Sequence, residues 1–230
     1  MRITRMLRQM ARPEFQHSLD EVEALVQDEA RLCRHALTAV MHALGARAFD
    51  EAEEVIAGDD AIDSLHLKIE ASVEHLLATQ APVAVDLRLV LSLIHINLHL
   101  ERIGDQCVNI AKLSMLMGDD PLPPELHDDL AAMGSQAEIL LANAMLAFGA
   151  RDLQGAESLV PLDQVINQTN HGLARRILTS GVDPEMGLFA IVIGRCLERI
   201  GDNAVDIGER TAYLITAELR EFTDASHPAP

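Results

Sequence analysis

LERIGDQCVNI at 100–110 and LERIGDNAVDI at 197–207 are one helical segment written twice, 97 residues apart. Each copy sets a glycine and two acids four residues apart into a stretch otherwise rich in Leu, Ile and Val. A glycine inside a helix costs roughly 1 kcal/mol relative to alanine. Two neighbouring carboxylates repel each other and resist burial. Packing alone asks for neither.

The duplication extends upstream. GAR at 45–47 recurs at 149–151, Ala52-Glu53 as Ala156-Glu157, and Asp59 as Asp163, all at an offset of 104. The LERIGD offset of 97 makes the second copy shorter by 104 − 97 = 7 residues between these blocks. A unit of about 105 residues, present twice, organises the chain, because an internal repeat fixes architecture before any local reading does.

Each unit reads as three helices. In the first, about 14–45, Leu25, Leu32, Ala36, Val40 and Leu44 form an apolar stripe that ends at Gly45. The second spans about 49–78, with Asp50 and Glu53 spaced as a capping box. The third starts near Pro82, a residue suited to the first helical position, and runs to about 117. GDDPLPPE at 118–125 is a breaker-rich linker. The second trio spans about 124–148, 152–179 and 183–221, with a kink expected at Pro161 and a strong start at Asp183-Pro184-Glu185. The fold expected is all-α: two tandem homologous three-helix bundles. Its boundaries are a basic arm over 1–13, a first repeat over 14–118, a second over 119–222 and a disordered tail over 223–230.

Composition agrees with helices. Of 230 residues, 49% are apolar but only 3% aromatic, with no Trp and one Tyr, whereas strands draw on aromatic side chains. The formal charge of −18 repels phosphate backbones, which excludes nucleic acid as a partner and favours cations or basic surfaces. Cys33, Cys107 and Cys196 are odd in number, widely spaced and read as reduced thiols. The opening MRITRMLRQMARPEF lacks the apolar core of a signal peptide, and no apolar run is expected to reach the roughly 20 residues that span a bilayer.

The acids fall on helix faces. Glu101 and Asp105 share a face, with Ile94 and Leu98 one turn back expected toward the core. On the second helix, Asp59, Asp63, His66 and Glu70 follow a 4-3-4 spacing that aligns all four. With Glu101, Asp105 and Asn109 they make an oxygen-rich patch suited to one or more metal ions. The second unit offers Asp163 and Asn167, followed by Asn170, opposite Glu198, Asp202, Asp206 and Glu209. Hard oxygens with one imidazole suit iron, zinc, manganese or magnesium better than thiolate-seeking metals. From spacing alone, ion pairing of the acids with Arg102 and Arg199 stays open. His95 and His99 favour helix packing over binding, and Cys107, opposite Ala204, reads as core filler.

DDAID at 59–63, QAPVAVDLR at 80–88, LERIGDQCVNIA at 100–111 and LERIGDNAVDIGE at 197–209 together resemble the PhoU family over about residues 15–220. The resemblance implies two three-helix bundles holding multinuclear iron or zinc clusters on paired acidic motifs: Asp59–Asp63 with Glu101–Asp105, and Asp163–Asn167 with Glu198–Asp202. It further implies a cytosolic, commonly homodimeric regulator that restrains the phosphate-starvation response. Such a regulator connects the ATPase subunit of the phosphate ABC transporter to a phosphate-sensing histidine kinase. Asn167 departs from the motif, which weakens the second site. A non-enzymatic adaptor is the reading. The alternatives are a carboxylate-bridged metalloenzyme, for which Glu14-x-x-His17 is the sole Glu-x-x-His pair, and a metal- or phosphate-buffering protein.

Overall fold

The apolar period of about 3.6 residues closes into helices along the whole chain. A computed structural model describes residues 2–118 and 120–222, the side chains of 2–12 and 180 excepted, and contains no strand among them. The helices are α1 (Arg2–Ala46), α2 (Phe49–Thr79), α3 (Val85–Leu116), α4 (Pro124–Ala150), the short α5 (Leu153–Glu157), α6 (Leu159–Ser180) and α7 (Pro184–Thr216). Six are long. α1, α2 and α3 pack as one bundle, and α4, α6 and α7, with α5, as another; α3 lies against α7 along the seam between them. Leu93, Ile96, Leu100, Ile103 and Ile110 of α3 and Ile193, Leu197, Ile200 and Ile207 of α7 are wholly buried.

Several local expectations shift. α1 starts at Arg2 and passes through Pro13, so the expected arm continues a helix, although its side chains lie outside the described residues. The tail over 223–230 lies outside them too. The core stripe of α1 is Leu19, Val22, Val26, Cys33, Leu37 and Val40; Leu25, Leu32 and Ala36 are only partly buried beside it. On α3, Ile94 is likewise partial and Leu98 is exposed, so the acidic face of α3 flanks the core instead of extending it.

Caps also differ. Ala48 precedes α2 without any side-chain cap bond, and Asp50 sits inside the first turn, where its charge favours the helix N-terminus. α3 starts after Pro82 because Ala84 adopts a left-handed φ of 50°, which a helix cannot continue through. At α1 the left-handed residue is Arg47, beyond Gly45. The break in the fifth segment falls at Ser158, not at Pro161, which has no N–H to donate to Glu157 and so lies in the first turn of α6. Asp183 does cap α7, accepting from Glu185 N at 3.0 Å and Met186 N at 3.3 Å. Contrary to expectation, α4 is long and apolar enough to cross a membrane by length and composition. Half of that window is buried in the bundle, as in a core helix.

Candidate functional site

The repeated glycine explains how the acids meet. A Cβ on Gly104 would lie 3.1 Å from Ile62 Cδ1 and 3.4 Å from Asp59 Oδ1. One on Gly201 would run into Asp163 Oδ1 and lie 3.2 Å from Ile166 Cδ1. In both units the bare backbone lets the preceding helix approach and seats its first acid against LERIGD.

In the first unit, Asp59, Asp63 and His66 of α2 thereby face Glu101 and Asp105 of α3. Burial and then the Asp63 and Asp105 charges push the Asp59 carboxyl above its usual range. Burial and then Asp105 do the same for Glu101. Among the described residues neither has a hydrogen-bond or ion-pair partner. His66 Nε2 lies 3.7 Å from Glu70 Oε1, and its Nδ1 is buried without a partner. Asn109 turns away into a hollow of about 360 Å³ between α3 and α7, shared with Lys112, Arg195 and Arg199.

In the second unit the acids are paired, by two asparagines and an arginine. Asp163 is 3% exposed, and burial followed by the Asp202 charge raises its carboxyl to about 6. Asn167 Nδ2 donates to Asp163 Oδ2 at 2.7 Å. Glu198 is held twice, by Asn170 Nδ2 at 2.5 Å and by Arg195 Nη1 at 2.5 Å. Burial and then Glu198 raise Asp202. Arg195 thus supplies the ion pairing that the sequence had suggested for Arg199. Asp206 and Glu209 have partners of their own: Asp206 lies 3.4 Å from His99 Nδ1 while its charge also bears on Asp202, and Glu209 accepts from Phe222 N at 2.6 Å. His99 also meets Asn203 Oδ1 at 2.9 Å, a packing contact across the α3–α7 seam.

A residue outside the expected set lies beside the first cluster. Glu29 of α1 is fully buried with both carboxylate oxygens unpartnered, and burial, reinforced by the Glu101 charge, raises it to about 9. Cys33, one turn on, donates from Sγ to the Leu100 carbonyl at 3.2 Å. The three cysteines are buried and free.

One family of known proteins matches both of the duplicated bundles. The PhoU domain model matches residues 26–114 and again 130–211. The chain belongs to the PhoU family. It is 31% identical over 213 residues to a Streptococcus pneumoniae phosphate-specific transport system accessory protein PhoU homolog, covering 90% of this chain and 98% of that one. A Methanothermobacter thermautotrophicus homolog of the same description is 31% identical over 173 residues, 74% of this chain and 79% of its own. The crystal structure of the phosphate transport system regulatory protein PhoU from S. pneumoniae superposes with a TM-score of 0.84 at 30% identity, covering 90% of this chain and 99% of that one.

The PhoU-type acids suit a cation chemically. Like charges crowd together in the first unit, and His66 Nδ1 and Asp163 Oδ1 are buried and unpartnered. Among the described residues no three His, Cys, Asp or Glu side chains are gathered to hold an ion as they stand. Closing a site therefore calls for rotation of the exposed Asp63, Asp105 and Asp202 side chains.

Proposed function

We propose that this chain is a cytoplasmic, non-enzymatic accessory regulator of phosphate transport that works as a metal-binding adaptor. Its partners on this reading are the ATPase subunit of a phosphate ABC transporter and a phosphate-sensing histidine kinase, and it restrains the phosphate-starvation response. The observation that carries the regulatory role is the PhoU domain match in both units, joined to relatives described as phosphate-transport accessory proteins over nearly their whole length.

The adaptor mechanism follows from coupling. A docking protein changes a kinase only by binding one signalling state in preference to another. The two bundles pack against each other along α3 and α7, and on this reading two partners would meet on them at a defined spacing. Asp59, Asp63, His66, Glu101 and Asp105 would hold iron or zinc in the first unit, and Asp163, Glu198 and Asp202 in the second. A bound cation would neutralise the crowded carboxylates and brace α2 to α3 and α6 to α7. Gly104 and Gly201 let those helices approach closely, which on this reading would allow the acids to share one cation.

In-cell crosslinking tests the adaptor directly. The chain should be captured with both the transporter ATPase and the kinase, and its deletion should leave the starvation response switched on in high phosphate. Capture of neither partner, with a normal response in the deletion, would contradict the proposal.

A further inference from the structure

The first unit carries three buried polar groups at one level of its core where the second has settled the same positions internally. Glu29 of α1 is wholly buried, with neither carboxylate oxygen partnered. Asn97 of α3 is 1% exposed; its Nδ2 donates to the His66 carbonyl at 3.3 Å, and its Oδ1 has no partner. His66 of α2 keeps a buried, unpartnered Nδ1. The Cys33–Leu100 contact fixes the level, because Glu29 and Asn97 lie one turn before those residues on α1 and α3. Glu29 is also near enough to Glu101 to sense its charge.

The repeat offsets place Met133, Asn170, Gly194 and Glu198 at the corresponding positions of the second unit. Met133 is apolar and buried, and Gly194 has no side chain. Asn170 takes the space: a Cβ on Gly194 would lie 2.6 Å from its Oδ1, while its Nδ2 donates to Glu198. Among the described residues, none of these four positions leaves a buried polar atom unpartnered, although Asp163 Oδ1 and Asn167 Oδ1 do. Buried polar atoms are normally hydrogen-bonded, so three orphaned groups at one level of three helices mark a place where an ion would satisfy them once their side chains close on it.

We infer that Glu29 and Asn97 are inner ligands of the first metal site. The Glu29 and Glu101 carboxylates, His66 Nδ1 and Asn97 Oδ1 take a divalent transition-metal cation beneath Asp59, Asp63 and Asp105. The inference rests on the metal-binding reading given above. Carboxylate, imidazole and amide oxygen suit zinc, iron(II) or manganese. Glu70 Oε1, 3.7 Å from His66 Nε2, would be the outer carboxylate that orients a ligating imidazole by closing to hydrogen-bond distance. With Met133 in place of Glu29, the second unit lacks this inner ligand.

The test uses the full chain, stripped by a chelator and dialysed against buffers of fixed free zinc, as wild type, Glu29→Met, Glu29→Gln and Asp105→Ala. Bound zinc is read by elemental analysis and the zinc-induced rise in Tm by calorimetry. Both Glu29 variants should weaken the tightest zinc site about tenfold or more. Their metal-free Tm should equal or exceed that of wild type, which separates lost ligation from lost folding. Zinc binding unchanged in both Glu29 variants but lowered in Asp105→Ala would overturn the inner-ligand assignment and leave the metal reading standing. A wild type that takes up no stoichiometric zinc would overturn both.

Discussion

Gly104 and Gly201 occupy equivalent places but differ in the room around them. Alanine at 104 gains helix propensity and presses on Ile62, at a distance a small shift can relieve. At 201 it collides with the buried Asp163 carboxylate, itself held by Asn167. Gly201→Ala should therefore lose about 1–3 kcal/mol in urea unfolding, the range of an overpacked core, while Gly104→Ala stays near neutral. Equal losses would mean the two cradles are the same. Glu29 leads to a second expectation. An acid whose pKa is higher folded than unfolded keeps its proton after the unfolded chain has lost it, so stability falls as pH rises. For Glu29 that window runs from 4.5 to about 9. The urea midpoint of metal-free protein should drop across it, and Glu29→Gln should flatten the slope. Glu29 lies on the stripe expected from the sequence, four residues after Leu25 and three before Leu32. No second acid stands three or four residues from it on α1, so spacing gave no sign of a site there.

Helices themselves were legible because long apolar periods and the duplicated motif agree, but their ends depend on single-residue backbone geometry. Asp183-Pro184-Glu185 worked as a start signal since its carboxylate reaches two free N–H groups. Asp50 offered the same letters and failed because Phe49 had already begun the helix. Asp183→Ala should cost about 1 kcal/mol of stability by denaturant titration, and Asp50→Ala a few tenths at most. Comparable losses would place the α2 cap at Asp50 after all. Left-handed backbone at Arg47, Ala84 and Arg151 ends or precedes helices without a glycine, a choice composition does not announce. The acids were found by their spacing on α2, α3, α6 and α7. Asp206 and Glu209 share that spacing and also contact His99 and the Phe222 backbone, partners that spacing does not announce.

Across the whole molecule, the two units share one seam, with α3 against α7 and His99 bonded to Asn203 across it. They should unfold together: Tyr213 fluorescence, reporting on the second unit, and far-UV circular dichroism should give coincident urea transitions. Separate transitions would make the units independent domains. The two units differ in how their acids are paired. The first unit crowds unpaired acids around His66, whereas Asn167, Asn170 and Arg195 quiet the second. Elemental analysis of untagged protein purified without chelators, beside Asp105→Ala and Asp202→Ala, tests that difference most directly. Iron or zinc should accompany the wild type and fall further in Asp105→Ala than in Asp202→Ala. Equal losses, or no stoichiometric metal on the wild type, would contradict the account.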